Sequence, residues 1–129
     1  MADQLLSGQR VLVVEDEMLV LMGLEDMIAD LGCTSISVAG NIEKALDLIE
    51  SKVFDLATLD VNLNGQRSYS IAQALSARGI PFAFSTGYGE HGVGEGYGDR
   101  PVLSKPYTCP QLIKVLSALV AEGRPTAAV

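Results

Sequence analysis

Short runs of β-branched and aliphatic residues alternate along this chain with longer stretches whose apolar residues recur at helical spacing. The run Arg10–Val14 (RVLVV) is typical of a strand buried on both faces of a sheet. Residues 17–31 carry leucine and isoleucine three or four positions apart, which predicts a helix ended by Gly32. Such alternation favours a parallel sheet with helices on both of its faces.

The same reasoning extends to the C-terminus. Asn41 is the predicted N-cap of the second helix, and Thr108 with Gln111 forms a capping-box pattern before the last one. With 129 residues, the chain is predicted to be one α/β domain with a five-stranded, doubly wound parallel sheet. The further predicted strands cover 34–38, 54–59, 80–85 and 101–104, and the further helices cover 42–49, 68–77 and 112–119.

Charge and composition exclude several classes of function. Sixteen acidic residues against nine basic ones give a net charge of −7, which argues against nucleic acid as a direct partner. No apolar run reaches the roughly 20 residues that a membrane span needs, and the N-terminus lacks a basic signal-peptide region. A cytoplasmic protein without membrane contact is therefore predicted. Two cysteines and one histidine do not supply the ligands of a zinc site.

Polar residues follow four of the predicted strands at their carboxyl ends, where open parallel sheets bind ligands. Three acids that lie close together resist ionising, and a divalent cation relieves their repulsion. Oxygen ligands suit Mg²⁺, and a carboxylate beside this metal is a workable phosphoryl acceptor, with a hydroxyl and an ammonium to contact phosphoryl oxygens. The residues at the strand ends are Glu15, Asp16, Asp60, Thr86 and Lys105.

Three segments resemble motifs of the response-regulator receiver domains of bacterial two-component systems. Residues 11–17 (VLVVEDE) resemble the acidic-pair motif, 59–65 (LDVNLNG) the phosphoacceptor motif, and 102–107 (VLSKPY) the Lys-Pro motif. The resemblance covers residues 9 to 121 and leaves 122–129 as a tail. It implies a single receiver domain over 1–129, with a flavodoxin-like sheet in the strand order 2-1-3-4-5.

The resemblance also implies a role for each site residue. Asp60 would be the phosphorylated aspartate, Thr86 the switch hydroxyl and Lys105 the cation that pairs with the phosphoryl group. Gly87 follows the switch threonine, and Pro106 follows Lys105 through a cis peptide bond in the family. The implied Mg²⁺ ligands are Glu15, Asp16, Asp60 and the backbone carbonyl of Asn62.

Two positions depart from the family pattern. Asn64 stands where receivers commonly have a proline, and Val102 stands where they commonly have Tyr or Phe. Without a ring at 102, the aromatic rotamer switch of the family is not expected here. Residues 82–89 (FAFSTGYG) resemble a subgroup of stand-alone receivers with a Phe-Ala-Thr-Gly-type fourth strand, which are often paired with atypical histidine kinases.

A glycine-rich segment follows the fourth predicted strand. Residues 87–92 match the letters of a dinucleotide-binding fingerprint, but that fingerprint belongs in the first strand–helix turn and must open a helix. Six glycines between 87 and 98 disfavour any helix. We therefore predict an irregular loop over 88–99, where receivers have their fourth helix, and a solvated loop position for His91.

The predicted function is that of a single-domain response regulator and not of a conventional enzyme. A histidine kinase or histidine phosphotransfer protein would donate the phosphoryl group. The domain would then bind a downstream protein, pass the group on or act as a phosphate sink. One alternative is an aspartyl-phosphate phosphohydrolase, although Asn62 stands where such enzymes carry a second aspartate. Another is a partner-binding pseudo-receiver, although the acids, Thr86 and Lys105 are all present.

The first half of the first predicted helix is apolar on every side. A helix that packs one face on a sheet cannot bury all of residues 18–22 (MLVLM) by itself. We expect the last helix to cover the excess, and weak self-association is the alternative.

Overall fold

The computed structural model describes residues 4–86, 100–105 and 107–123. In chain order the elements are β1 (Arg10–Val14), α1 (Met18–Asp30), β2 (Ser35–Ala39), α2 (Ile42–Ser51), β3 (Leu56–Asp60), β4 (Asn62–Leu63), β5 (Gln66–Arg67), α3 (Tyr69–Ala77), β6 (Phe82–Thr86), β7 (Val102–Ser104) and α4 (Cys109–Gly123). The main sheet has five parallel strands in the order β2-β1-β3-β6-β7, and β4 and β5 form a separate antiparallel pair. With β6 and β7 as the predicted fourth and fifth strands, this order confirms the predicted flavodoxin-like topology.

Apolar side chains of the central strands fill a layer on each face of the sheet. Leu12 and Val14 of β1 join the layer beneath α2 and α3, whereas Val11 and Val13 join the layer beneath α1 and α4. Successive residues of a strand point to opposite faces, so a strand covered on both sides must be apolar throughout. This packing explains the uninterrupted apolar run of β1.

The predicted helix caps are present. The Asn41 side chain accepts a hydrogen bond from the Lys44 backbone N–H at 2.8 Å, at the start of α2. Before α4, the Gln111 side chain accepts from the Thr108 N–H at 2.7 Å, and the Thr108 hydroxyl accepts from the Gln111 N–H at 3.3 Å. Both caps satisfy N–H groups that the first turn of a helix leaves free.

The sequence reasoning missed the hairpin formed by β4 and β5. Asn62 pairs with Arg67 and Leu63 with Gln66, and the two residues between them form the turn. Asn64 has φ 52° and Gly65 has φ 84°. Two-residue hairpin turns with positive φ at both positions favour the pair Asn-Gly. The hairpin lies between β3 and α3, directly after Asp60.

The start of α1 is more exposed than expected. Of its first five residues Leu21 is buried, while Met18, Leu19 and Met22 are 66%, 85% and 53% exposed. The expectation that the last helix covers this apolar excess is therefore wrong. Packing of α1 uses Leu21, Leu24 and Ile28, one helical stripe that faces the sheet.

Several predictions concern residues outside the described part of the chain. They are the irregular loop over 88–99, the positions of Gly87 and His91, and the cis bond before Pro106. The predicted tail falls at 122–129, of which α4 includes residues as far as Gly123 and the remainder is not described. Within the described ranges, no helix has the length and apolar character that crossing a membrane requires.

Candidate functional site

Three acidic side chains meet at the carboxyl edge of the main sheet. Glu15 and Asp16 follow β1 directly, and Asp60 is the last residue of β3, the strand beside it. One carboxylate oxygen of each of the three lies within 4.8 Å of the others. Glu15 and Asp60 are buried at 2% and 4% exposure, and Asp16 is half-buried. The structure thus brings together the three acids that the sequence placed at strand ends.

Lys105 extends from the end of β7 into this acidic cluster. Its Nζ lies 2.8 Å from Glu15 Oε1, 3.0 Å from Asp60 Oδ2 and 3.5 Å from Glu17 Oε1. The Lys105 side chain is 13% exposed, so its ammonium compensates the two buried carboxylates away from bulk water. Glu17, which is exposed, is a further acid at the site that the sequence reasoning did not single out.

Burial dominates the protonation of the two inner acids. It raises the pKa of Glu15 to about 7, and it also raises the pKa of Asp60, although hydrogen bonds from Lys105 oppose both effects. Burial alone would lower the pKa of Lys105, but its hydrogen bonds to Glu15 and Asp60 outweigh this and raise it. Burial therefore disfavours the charged forms of Glu15 and Asp60, and the Lys105 ammonium offsets only part of that effect.

A backbone N–H and a side-chain hydroxyl donate hydrogen bonds to Asp60. Its Oδ1 accepts from the Asn62 N–H at 3.2 Å, and its carbonyl oxygen accepts from the Ser68 hydroxyl at 2.6 Å. The Ser68 N–H donates to the carbonyl of Val61 at 3.0 Å. Ser68 is fully buried, just before α3, and ties the start of that helix to the end of β3. The sequence reasoning assigned Ser68 to the helix and missed this role.

The β4–β5 turn holds Asp16 from the side. The Asn64 backbone N–H donates to Asp16 Oδ2 at 2.9 Å, and the Asn64 side-chain amide donates to the carbonyl of Gly40 at 3.3 Å. The Gly65 N–H donates to the Asn62 side-chain oxygen at 2.9 Å, which closes the turn. The signal for this feature was present in the sequence, because Asn-Gly between two short segments is a hairpin pattern.

Thr86 and Val102 lie where the strand assignment placed them. Thr86 ends β6 beside β3, is 7% exposed, and accepts the Lys105 backbone N–H on its carbonyl at 2.8 Å. Val102 begins β7 and is 43% exposed. The Ser85 hydroxyl and the Thr58 hydroxyl are buried near Asp60 in the sheet, and neither has a hydrogen-bond partner among the described residues.

A groove of about 430 Å³ runs along β7 and along α4 as far as Ala118. Tyr107 lines this groove and is close enough to the acidic site to be affected by its charges. Burial, followed by the negative charge of Glu15, raises the pKa of its hydroxyl to about 12. Besides Tyr107, the lining includes Val102, Leu103, Ser104, Gln111 and Lys114.

Comparison with known proteins points to one family. A family model described as the response regulator receiver domain matches residues 11–117. The transcriptional regulatory protein PdtaR of Mycobacterium tuberculosis is 27% identical over 120 residues, which are 90% of this chain and 58% of PdtaR. The chain thus spans little more than half the length of this curated relative.

Solved structures that are similar to this chain include SdrG from Sphingomonas melonis Fr1. It is 42% identical, with a TM-score of 0.80, and the match covers 87% of this chain and 96% of SdrG. The BeF3-activated conformation of SdrG from Pseudomonas melonis Fr1 is 40% identical with a TM-score of 0.75, over 93% and 99% of the two chains. The receiver domain of sensor histidine kinase PA1611 from Pseudomonas aeruginosa, with magnesium coordinated in its active-site cleft, is 21% identical. It has a TM-score of 0.73 over 89% and 99% of the chains, and this likeness shows the fold alone.

Proposed function

Since this chain belongs to the family of response regulator receiver domains, we propose that it accepts a phosphoryl group on Asp60 and signals through contacts with other proteins. The observation that carries the proposal is the meeting of Glu15, Asp16 and Asp60 within 4.8 Å, with the Lys105 ammonium 3.0 Å from Asp60. Receiver domains are signalling modules, and a histidine kinase or histidine phosphotransfer protein is the proposed donor.

The donor set of this site fits Mg²⁺. Its side-chain ligands are three carboxylates, the hard oxygen ligands that Mg²⁺ prefers, and burial, which Lys105 only partly offsets, raises the pKa values of Glu15 and Asp60. The proposed protein ligands are Glu15, Asp16, Asp60 and the backbone carbonyl of Asn62. When bound, the metal would neutralise the excess negative charge and attract phosphoryl oxygens.

Asp60 is the proposed nucleophile. One of its carboxylate oxygens attacks the phosphorus of the phosphodonor, a new O–P bond forms, and the P–N bond of a phosphohistidine breaks with its electron pair left on the imidazole. Lys105 is already within reach and would transfer one hydrogen bond to a phosphoryl oxygen. Thr86, at the end of the neighbouring strand, would donate its hydroxyl to another. Attack of water on phosphorus later restores the Asp60 carboxylate.

Signalling is proposed to use a path without an aromatic switch. Val102 has no ring to bury, and a β-branched side chain has few χ1 positions to choose from. The hydrogen bond from the Lys105 backbone N–H to the Thr86 carbonyl connects the two residues expected to move, and Gly87 and Pro106, which follow them in the sequence, are the further proposed switch positions. Exposed apolar residues at the start of α1 support a contact with a partner or a second copy of the chain.

The test is phosphorylation of the purified protein by a small phosphodonor such as acetyl phosphate, read by intact-mass spectrometry. With Mg²⁺ we expect one phosphoryl adduct, which Asp60→Asn abolishes. The matched control Asp47→Asn removes an exposed aspartate on α2 and is expected to keep the adduct. An adduct of equal yield in Asp60→Asn would refute the assignment.

A phosphate-release assay and the mass measurement together separate the two alternatives. A phosphohydrolase would release phosphate continuously from a generic phosphate ester. That reading is disfavoured by Asn62, whose amide oxygen accepts the Gly65 N–H in the turn and carries no acidic proton. A pseudo-receiver that only binds partners would form no adduct with any phosphodonor.

A further inference from the structure

We infer that the Asn64–Gly65 turn is a positioning device for Asp16, which it holds in the orientation needed to bind the cation. This inference rests on the proposed Mg²⁺ site and adds to it a residue that contacts neither the metal nor the phosphoryl group. The observation behind it is the hydrogen bond from the Asn64 backbone N–H to Asp16 Oδ2 at 2.9 Å.

Asp16 needs such support more than the other two acids do. Glu15 is buried and bonded to Lys105, and Asp60 is buried and bonded to Lys105 and Asn62. Asp16 is half-buried on the loop after β1. A carboxylate in such a position rotates freely unless a donor fixes one of its oxygens, and the Asn64 N–H is a donor at hydrogen-bond distance. The turn therefore engages one oxygen of the carboxylate, and the part of the chain that the structure describes offers no hydrogen bond to the other.

The backbone conformation of the turn places that N–H at Asp16. Asn64 at φ 52° and Gly65 at φ 84° place the chain in the left-handed region, which asparagine and glycine tolerate best. The Asn62 side chain closes the turn through the Gly65 N–H, and the Asn64 side chain fastens it to the carbonyl of Gly40 beyond β2. The turn is thus closed within the hairpin and tied to the segment after β2, so the donor that it offers to Asp16 has a defined position.

This role explains why asparagine suits position 64 in this chain. Proline has no N–H and a φ near −65°, so it could neither donate to Asp16 nor adopt the observed turn. Groups that orient a metal ligand commonly change metal affinity by ten- to a hundred-fold when removed. Because Asn64 is exposed, we expect the lower end of that range.

The experiment measures the Mg²⁺ dissociation constant by titration followed through backbone amide resonances, without any phosphodonor. Asn64→Pro is expected to weaken Mg²⁺ binding about ten-fold. Asn64→Gly keeps both the N–H and the positive φ and is expected to stay within about two-fold of wild type. Gly65→Ala, whose new Cβ meets open space, strains the backbone of the turn alone and is expected to fall between them.

A merely structural role is separated by a double-mutant cycle. If the turn acts through Asp16, then Asn64→Pro has no further effect on Mg²⁺ affinity in an Asp16→Ala background, where the ligand is already missing. Should Asn64→Pro fail to fold, the cycle is run with Gly65→Ala. The inference would be overturned if the turn variant changed Mg²⁺ affinity equally with and without Asp16. It would also be overturned if Asn64→Pro and Gly65→Ala both bound Mg²⁺ with wild-type affinity.

The result for the wild-type chain tells the two proposals apart. Wild-type protein that binds no Mg²⁺ at millimolar concentration overturns the proposed metal site, and this inference with it. Wild-type binding that Glu15→Gln weakens, but that the turn variants leave unchanged, overturns the turn's role alone.

Discussion

Removing the ammonium of Lys105 should show how much it stabilises the buried carboxylates of the acidic site. Lys105→Met keeps a long apolar stem and deletes the positive charge that lies 2.8 Å from Glu15 and 3.0 Å from Asp60. Two buried carboxylates then remain without that partner. Breaking a buried ion pair from one side costs about 3–5 kcal/mol, because the remaining charge stays desolvated.

The low end of that range applies here, because an acid that takes up a proton no longer carries an unpaired, desolvated charge. Glu15 already has a pKa of about 7 with Lys105 in place, and loss of the ammonium would raise it further. We therefore expect a loss of about 3 kcal/mol in the free energy of unfolding at about pH 8, and a smaller loss near pH 5.5. For a chain of this size, 3 kcal/mol corresponds to a fall of about 10 °C in melting temperature.

The assay is thermal unfolding of the metal-free protein at the two pH values, repeated with Mg²⁺. Because a bound cation replaces the missing charge, Mg²⁺ should raise the melting temperature of Lys105→Met more than that of the wild type. Lys114→Met is the matched control, since it removes the same charge from an exposed position in the middle of α4. It should melt within about 2 °C of wild type at both pH values.

Two results would refute this reasoning. One is a melting temperature of Lys105→Met within about 2 °C of wild type at both pH values, which would mean that the lysine does not compensate the acids. The other is an equal loss at both pH values with no extra response to Mg²⁺. That pattern would mean that the packing of the lysine stem matters and its charge does not.

Three further predictions concern stability. Burial raises the folded-state pKa of Glu15 from 4.5 to about 7, so its contribution to the free energy of unfolding is present at low pH and lost as pH rises through 7. The free energy of unfolding of the metal-free protein should therefore be about 2 kcal/mol higher at about pH 5.5 than at about pH 8. Thermal melts should show that Glu15→Gln flattens this pH dependence. Ser68→Ala, which leaves the Asp60 carbonyl without its 2.6 Å donor, should cost about 1–2 kcal/mol in denaturant unfolding, whereas the exposed Ser70→Ala should cost nothing measurable. Ser85→Ala and Thr58→Val remove buried hydroxyls without partners among the described residues, so each should unfold at equal or higher denaturant concentration, and a loss above about 1 kcal/mol would contradict this.

The sheet and the approximate places of the site residues could be predicted because they depend on local patterns. A strand covered on both faces has to be largely apolar, as residues 11–14 of β1 and most of β3 are, and the chain topology then brings the ends of neighbouring parallel strands to one edge. Polar residues at or just after the ends of these strands and of β7, such as Glu15, Asp60 and Lys105, could therefore be predicted to meet without any knowledge of side-chain contacts.

What could not be predicted depends on contacts between distant segments. Ser68 looks like an ordinary helix start, and its bond to the Asp60 carbonyl exists only because β3 and α3 approach there. The exposure of Met18 and Leu19 likewise depends on which side of α1 faces the sheet, and an all-apolar segment gives no direction. The Asn64 turn had a local signal, but its bond to Asp16, 48 residues earlier, did not.

The hydrogen bonds to the three acids explain how the fold tolerates electrostatic repulsion between them. Each carboxylate is fixed by a separate element: Glu15 by Lys105 after β7, Asp60 by the Asn62 N–H after β3, and Asp16 by the turn between β4 and β5. Among the described residues no donor serves all three acids, so a change at Asp16 need not release the other two. Glu15 and Asp60 share Lys105, whose neighbour Ser104 lines the groove beside α4. A phosphoryl group on Asp60 would compete with Glu15 for this ammonium. We therefore expect the groove to register phosphorylation through a displacement of Lys105, and Lys105→Met to leave it in one state with or without a phosphoryl group.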